Sequence, residues 1–136
     1  MPRTEPLPPV AAVVSFIDAI NRGDIDRLSE LMADDHHLDV FDEVSLVGRD
    51  ANVAAWRRYA EAFPRYVIYP EQIAVRDGVV AVLGHTTGSH LGFADEVEMA
   101  LRLIWCAEVV DGRLMYWQLI EDTPEMRDSC GLRRAT

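Results

Sequence analysis

The chain has 136 residues, the length of one domain, and its 49% hydrophobic and 26% charged content excludes a disordered or collagen-like protein. Its formal net charge is −10, which argues against nucleic acid as a partner, because phosphate binding needs a surplus of basic side chains. All 13 basic residues are Arg, which excludes both the lysine of a phosphate-binding loop and a Schiff-base lysine.

The two cysteines, Cys106 and Cys130, lie far apart in the sequence and form no CxxC pair. We therefore expect both to be reduced packing residues of a cytoplasmic protein. No segment reaches the ~18 apolar residues of a membrane span, so a membrane partner is not expected. Ser15 and Asp18 interrupt the apolar run of residues 10–20, which predicts an amphipathic helix rather than a signal peptide.

The first half of the chain predicts a tail, three helices and one strand. Residues 1–8 are proline-rich and polar, so we expect a flexible N-terminal tail. The helices are predicted from apolar residues at helical spacing and from their end signals, which include Gly23 and Pro64. In chain order, the predicted elements are a helix over 9–21, a short helix from Ile25, a strand over 36–41 and a helix over 50–63.

The second half predicts strands joined by tight turns. Asp77–Gly78 and Asp111–Gly112 are typical hairpin turns, and Thr123–Pro124 is typical of the start of a helix. The predicted strands cover residues 66–76, 79–90, 97–110 and 113–122, and a short final helix ends near Gly131.

This order predicts an α+β fold in which residues 9–136 form a single domain without repeats or linkers. The strands would form a curved, largely antiparallel sheet, and the N-terminal helices would cover its concave side. Such an arrangement leaves a pocket at the open end of the sheet, which is a common place for a small-molecule site.

Several short sequences carry a family resemblance. They are VSFIDAINRGDIDRLSELM from Val14, ADD from Ala33, the pair Gly48–Arg49 and GRLMYWQLIED from Gly112. In this order they resemble the nuclear transport factor 2-like superfamily, in its SnoaL-like branch, over about residues 9–132. The resemblance implies a cone-shaped, cystatin-like fold with a mixed sheet and a central pocket. It also implies homodimers that pair sheet to sheet and a site without metal or cofactor.

The superfamily contains isomerases, cyclases, hydrolases, dehydratases and non-catalytic binders, so the fold does not fix the chemistry. Enzymes that resemble ketosteroid isomerase place a general base near Asp39. However, Ile17 and Trp105 occupy the positions of their tyrosine and aspartate oxyanion donors, so the transition-state charge would lack its stabilising groups.

Enzymes similar to limonene epoxide hydrolase need an Asp-Arg-Asp set. The corresponding positions hold Gly84, Thr86 and Leu119, so we do not expect epoxide hydrolysis by that mechanism. SnoaL-type polyketide cyclases use a carboxylate on the last strand, where Glu121 and Asp122 are available. Strand alternation places Glu121 on the same face as Trp117.

His37 and Asp39 share one face of the early strand. If that face borders the pocket, His37 is an acid or base that Asp39 orients, or Asp39 is itself the base. The alternative is an exposed acidic strand, since carboxylates surround both residues. The candidate catalytic residues are therefore Asp39, His37 and Glu121.

The aromatic side chains either fill the core or line a pocket for a flat ring compound. The candidate lining residues are Trp56, Tyr59, Phe63, Met99, Leu101, Leu103, Trp105, Trp117 and Leu119. The opposite face of the predicted strand over 97–110 mixes charged and apolar residues, including Glu98, Ile104 and Cys106. A mixed face of this kind favours a subunit contact, so we expect a homodimer.

Two functional hypotheses follow. In the first, the protein binds a small apolar molecule and catalyses cofactor-independent acid/base chemistry of the cyclase, isomerase or dehydratase type. In the second, it is a non-catalytic dimeric ligand-binding or scaffold protein.

Overall fold

The two long helices of the first half lie within one residue of their predicted bounds, whereas the first strand begins at Met32, four residues before the predicted start. The computed structural model describes residues 5–132. In it, α1 (Pro9–Arg22) ends at Gly23, whose φ of 66° lies in the left-handed region. Asp24 caps α2 (Ile25–Leu31) by accepting a hydrogen bond from the Arg27 backbone N–H at 3.1 Å.

Six strands form one sheet in the order β2-β1-β6-β5-β4-β3. Strands β3 to β6 are an antiparallel meander, β1 pairs with β6 in parallel, and the short β2 pairs with β1 in antiparallel orientation. The predicted α+β class with a mixed sheet is therefore confirmed. The strands are β1 (Met32–Val40), β2 (Leu46–Val47), β3 (Val67–Arg76), β4 (Val79–Thr87), β5 (Leu103–Val110) and β6 (Arg113–Glu121).

The main core lies between the N-terminal helices and one face of the sheet, which we call the inner face. Phe16 of α1 is fully buried, and its ring lies 5.0 Å from that of Trp117 on β6. Burying a side chain of this size contributes ~1.5–3 kcal/mol, so these contacts fix the helices on the sheet. The third helix, α3 (Arg49–Ala62), packs against β1 and β2 beside this core.

The last helix, α5 (Pro124–Cys130), lies on the opposite face, which we call the outer face. Thr123 caps its first turn, and Asp122 forms an ion pair with Arg127 at 2.6 Å. The chain around α5 covers a second apolar cluster of the sheet, formed by Ala81, Leu83, Ile104 and Cys106. Ile104 and Cys106, which the sequence suggested for a subunit contact, are thus covered within the chain.

The predicted strand over 97–110 is wrong in its first part, because α4 (Asp95–Glu98) precedes β5. Apolar residues at every second position favoured a strand there, but Val97, Met99 and Leu101 are exposed. Glu98 is instead buried, and its carboxylate accepts a hydrogen bond from the Thr86 hydroxyl.

The predicted tail also differs in part from the structure. Leu7 packs against the main core, whereas residues 1–4 lie outside the described residues, as do residues 133–136 of the predicted domain. No helix in residues 5–132 combines the length and hydropathy that a membrane span requires.

Candidate functional site

A cavity of about 430 Å³ lies between α3 and the inner face of β1, β5 and β6; we call it the main cavity. Its volume falls in the range of small-molecule sites. Its wall consists of aliphatic and aromatic side chains with a few polar groups, namely Leu38, Val40, Glu43, Ala55, Trp56, Tyr59, Phe63, Tyr66, His90, Trp105, Trp117 and Leu119. All three tryptophans of the chain therefore border it.

The sheet side of the main cavity follows from the strand register. Leu38 lies opposite Trp117, and Trp105 lies opposite Leu119, so these four side chains share the inner face. The rings of Trp105 and Trp117 are nearly parallel, 21° apart, with centroids separated by 6.4 Å. Both side chains belong to the main core and contribute to the sheet side of the cavity wall.

The helix side comes from one face of α3. Trp56, Tyr59 and Phe63 are spaced so that they follow one another along that face. The ring of Tyr59 contacts those of Phe63 and Tyr66, with centroid distances of 4.8 Å and 5.0 Å. This aromatic side of the cavity opposes the tryptophan pair on the sheet.

The polar groups on the wall of the main cavity include Glu43 and the adjacent pair Tyr59 and His90. The Tyr59 hydroxyl lies 2.9 Å from His90 Nδ1 and accepts a hydrogen bond from the His90 backbone N–H at 3.1 Å. Burial raises the pKa of Tyr59 and of Tyr66, and the nearby Glu98 carboxylate adds to both shifts. Both hydroxyls therefore stay protonated at neutral pH and can donate hydrogen bonds.

Glu98 holds the segment that carries His90. Its side chain is only 1% exposed, and besides the Thr86 hydroxyl it approaches the backbone N–H of Ser89 at 3.4 Å. A carboxylate buried in this way needs such partners to offset its desolvation. The arrangement ties α4 to the end of β4 and keeps His90 next to Tyr59.

A second hollow, of about 460 Å³, lies between α3 and the junction of α1 and α2. It shares Trp56, Tyr59, Phe63 and Tyr66 with the main cavity, so these four aromatic side chains separate the two spaces. Its remaining lining is more polar and includes Arg22, Arg57 and Glu61. The main cavity is therefore the better match for an apolar ligand.

The SnoaL-like domain family matches this sequence over residues 13–117. The chain belongs to the SnoaL-like family. No curated protein matches its sequence.

Solved structures with the same fold are similar to this SnoaL-like protein. A proposed polyketide cyclase from Sinorhizobium meliloti is 24% identical over 81% of this chain and 94% of its own, with a TM-score of 0.67. An LEH-like epoxide hydrolase of M. tuberculosis is 18% identical over 90% of this chain and 88% of its own, with a TM-score of 0.64. TerC, crystallised with polyporic acid, is 15% identical over 90% of this chain and 97% of its own, with a TM-score of 0.67. At these identities the likeness shows the fold alone.

The structure brings six of the predicted lining residues of this SnoaL-like protein together. These are Trp56, Tyr59, Phe63, Trp105, Trp117 and Leu119. Met99 and Leu101 are not on the wall, because they precede β5 and each is 47% exposed. Leu103 packs against the main core without bordering the cavity.

His37 and Asp39 do not lie on the wall of the main cavity, which agrees with the alternative of a strand face outside the pocket. Leu38 and Val40 border the main cavity, so strand alternation directs His37 and Asp39 to the outer face. There His37 Nε2 lies 3.1 Å from Asp39 Oδ2, and the Ser45 hydroxyl donates a hydrogen bond to Asp39. Asp39 thus lies opposite Gln118 in the register, and not beside Trp117.

Glu121 is the last residue of β6 and is exposed. It lies opposite Leu103 at the end of the sheet and is not part of the cavity wall. The catalytic roles of His37, Asp39 and Glu121 remain predictions. Within residues 5–132, no group of three or more His, Cys, Asp or Glu side chains is arranged to hold a metal ion.

The cavity wall also contains six residues that were not predicted from the sequence, namely Leu38, Val40, Glu43, Ala55, Tyr66 and His90. The apolar alternation of Leu38 and Val40 was a usable signal, because it predicts that these residues, and not His37 and Asp39, face the interior. His90 lies in a loop, because β4 ends at Thr87 and not at residue 90 as predicted, so strand alternation does not indicate which way its side chain points.

Proposed function

We propose that this SnoaL-like protein binds a small apolar ring compound in the main cavity. The observation that supports this most directly is the aromatic character of the cavity wall, to which Trp105 and Trp117 contribute from the sheet and Tyr59 and Phe63 from the end of α3. Flat ring compounds bury well against such surfaces. The co-crystallisation of TerC with polyporic acid is consistent with a ligand-binding role for proteins of this fold.

We further propose that the protein catalyses cofactor-independent acid/base chemistry of the cyclase, isomerase or dehydratase type. Tyr59 and His90 support it, because a protonated phenol that contacts an imidazole can donate a proton to a ligand oxygen and regain it from the histidine. If His37 or Asp39 takes part instead, its partner has to bind on the outer face. Glu121 would have to act from the end of β6.

The alternative is a non-catalytic ligand-binding or scaffold protein. Ile17 and Trp105, which occupy the two oxyanion-donor positions implied by the resemblance, are 3% and 2% exposed and pack in the main core. The cavity therefore lacks the paired donors that stabilise an enolate in isomerases of this fold. Ligand binding without turnover would favour this alternative.

The binding proposal is tested by calorimetry with naphthol, a flat ring compound that carries one hydroxyl. Leu119→Phe adds volume inside the cavity, whereas Leu101→Phe makes the same change at an exposed position outside it. We expect naphthol to bind the natural protein, with affinity about tenfold or more lower for Leu119→Phe and unchanged for Leu101→Phe. An absence of binding, or equal losses in both variants, would contradict the proposal.

The homodimer and the cytoplasmic location belong to the same proposal. The part of the outer face beside α5, around Tyr116 and Gln118, is only half-buried within one chain and is available for a second copy. The free thiols of Cys106 and Cys130 are compatible with a reducing compartment.

A further inference from the structure

The two thiols of the chain meet on the outer face although 24 residues separate them in sequence. Sγ of Cys106 on β5 lies 3.8 Å from Sγ of Cys130, the last residue of α5, and both cysteines are free. A disulfide needs a separation of ~2.05 Å. The side chains are therefore one small displacement away from bonding distance.

The end of α5 can supply that displacement. The helix is fixed at its start by the Thr123 cap and the ion pair between Asp122 and Arg127. Its last turn ends at Gly131, which adopts a left-handed conformation with a φ of 76°. Helix ends move more easily than helix interiors, so Cys130 can approach Cys106 without disturbing the sheet.

We propose that Cys106 and Cys130 form an intramolecular disulfide when the protein meets a disulfide oxidant such as oxidised glutathione, and that this bond locks α5 onto the outer face. From their distance in the sequence, the two residues are expected to be separate packing cysteines. Their contact across β5 and α5 is visible only in the fold.

The burial of the two thiols sets the order of the reaction. Cys130 is half-buried and open to an oxidant, whereas Cys106 is buried. Burial and the neighbouring Cys130 raise the pKa of the Cys106 thiol, which makes it a poor first nucleophile.

The reaction then takes two exchange steps. The Cys130 thiolate attacks one sulfur of oxidised glutathione, whose S–S bond breaks and releases one glutathione thiolate. Cys106 next attacks the Cys130 sulfur of the mixed disulfide, its proton passing to the solvent or the departing thiolate. The mixed bond breaks and the second glutathione leaves, so the protein loses two hydrogen atoms and the oxidant is reduced to two thiols.

The cross-link leaves the main cavity unchanged because of strand geometry. Cys106 follows Trp105 on β5, so its side chain lies on the outer face while Trp105 borders the cavity. We therefore expect oxidation to change the stability of the protein without changing ligand affinity. The inference is independent of the proposed function.

The test compares the full natural chain with Cys130→Ser, each incubated with oxidised glutathione and then alkylated in denaturant. Trypsin releases Cys106 and Cys130 in separate peptides, residues 103–113 and 128–133, because the chain has no lysine and is cut only after arginine. For the natural chain we expect these peptides to be joined by a disulfide. A sample taken before alkylation should have an intact mass about 2 Da lower than that of the reduced protein.

Thermal unfolding supplies the second measurement. Closing a loop of this length raises the melting temperature by about 10 °C, and a thiol reductant should reverse the increase. Cys130→Ser, and separately Cys106→Ala, should show no such change with the oxidant.

Three results would overturn the inference. They are two alkylated cysteines after oxidation, disulfides that join two chains, or a mixed glutathione disulfide that persists at Cys130. An oxidised protein that melts no higher than the reduced one would contradict the locking of α5.

Discussion

Tyr59 is the residue at which the apolar wall of the main cavity meets a polar group. Its hydroxyl contacts both Nδ1 and the backbone N–H of His90, and burial raises its pKa, so the hydroxyl remains a donor at neutral pH. A ligand with one hydroxyl can compete for this position, whereas a pure hydrocarbon cannot. If the proposed ligand binds here, we expect Tyr59 to favour a ligand that carries a hydroxyl over a hydrocarbon with the same ring.

Replacing Tyr59 by Phe should weaken naphthol binding about fivefold and leave naphthalene binding unchanged, because one hydrogen bond is lost while the ring is kept. Calorimetric titration of both ligands measures the difference. Asp39→Asn is the matched control, since Asp39 lies on the outer face and its change should affect neither ligand. Equal losses for both ligands would show that Tyr59 acts only through packing.

His36 is a buried histidine that links stability to pH. It is fully buried, its Nδ1 lies 2.8 Å from the Leu114 carbonyl, and its ring lies 5.9 Å from that of Phe16. Burial lowers the pKa of His36 in spite of this hydrogen bond. The unfolded chain therefore takes up a proton below about pH 6.5, whereas the folded protein does so only at lower pH.

The free energy of unfolding should consequently fall as the pH is lowered from about 7 towards 5. His36→Asn keeps a donor for the Leu114 carbonyl and removes the titrating ring, so its stability should decrease less over this range, although it starts lower. Urea unfolding at both pH values measures the two slopes. His90→Asn, at an exposed position, is the control and should show the same change of unfolding free energy with pH as the natural protein. If His36→Asn also shows that same change, the pH dependence does not come from His36.

At the scale of the elements, the segment between β4 and β5 depends on the contact of Gly88 with the turn before β3. Gly88 and Gly92 have nearly equal φ angles, 71° and 72°. A Cβ at Gly88 would lie 2.4 Å from the Arg65 carbonyl oxygen, whereas a Cβ at Gly92 would meet nothing within 4 Å. Substituting both glycines in turn therefore separates two losses of folding stability. At Gly92 the loss comes from the left-handed backbone alone, and at Gly88 the clash with Arg65 adds to it.

Gly92→Ala should lower the free energy of unfolding by ~1 kcal/mol, the cost of the left-handed conformation alone. Gly88→Ala should lower it by ~1–3 kcal/mol more, because backbone atoms have to move apart. Gly88→Ala should also weaken naphthol binding, since His90 follows two residues later and its position depends on this contact. Urea unfolding of both variants measures the decrease in the free energy of unfolding. Equal decreases would mean that the Arg65 backbone moves aside without a measurable loss of stability.

The elements also show where sequence patterns are sufficient and where they fail. The helices, the meander and its two Asp-Gly turns follow from periodicity and end signals, which are local properties. The strand predicted over 97–110 fails because Glu98 is held by Thr86, a residue of another strand. A β-bulge between β5 and β6 likewise places Leu114 in the same core as Trp117, against simple alternation.

At the scale of the whole molecule, the sequence predicts the aromatic composition of the cavity better than its polar groups. Most of the aromatic residues on the cavity wall lie on α3 or on the strands, where helical or strand spacing indicates which of them share a face, whereas Tyr66, just before β3, was not predicted. A shift of one residue in the pairing of a strand moves each of its side chains to the other face of the sheet. The face on which a polar residue such as His37 lies therefore depends on tertiary contacts that the sequence does not show. The same reason explains why the cover that α5 provides for Ile104 and Cys106 was not foreseen.

The proposed homodimer is governed by the charge of the whole molecule. Each chain carries a formal charge of −10, so two copies repel one another, and in the proposed dimer the contact between outer faces has to overcome this repulsion. Salt shortens the range of the repulsion from ~30 Å at 0.01 M to under 10 Å above 0.15 M. Association should therefore strengthen as salt is added, which is opposite to the behaviour of a dimer held by ion pairs.

Light scattering at micromolar concentration should give a mass near twice the 15.3 kDa of the chain at physiological salt, with a growing monomer fraction at low salt. Gln118→Arg introduces a charge at the centre of the uncovered outer face, next to Asp39 in the register, and should favour the monomer. Val75→Arg, on the edge strand β3, is the control and should leave the mass unchanged. A 15.3 kDa species at every salt concentration would contradict the homodimer, and dissociation of both variants alike would place the interface elsewhere.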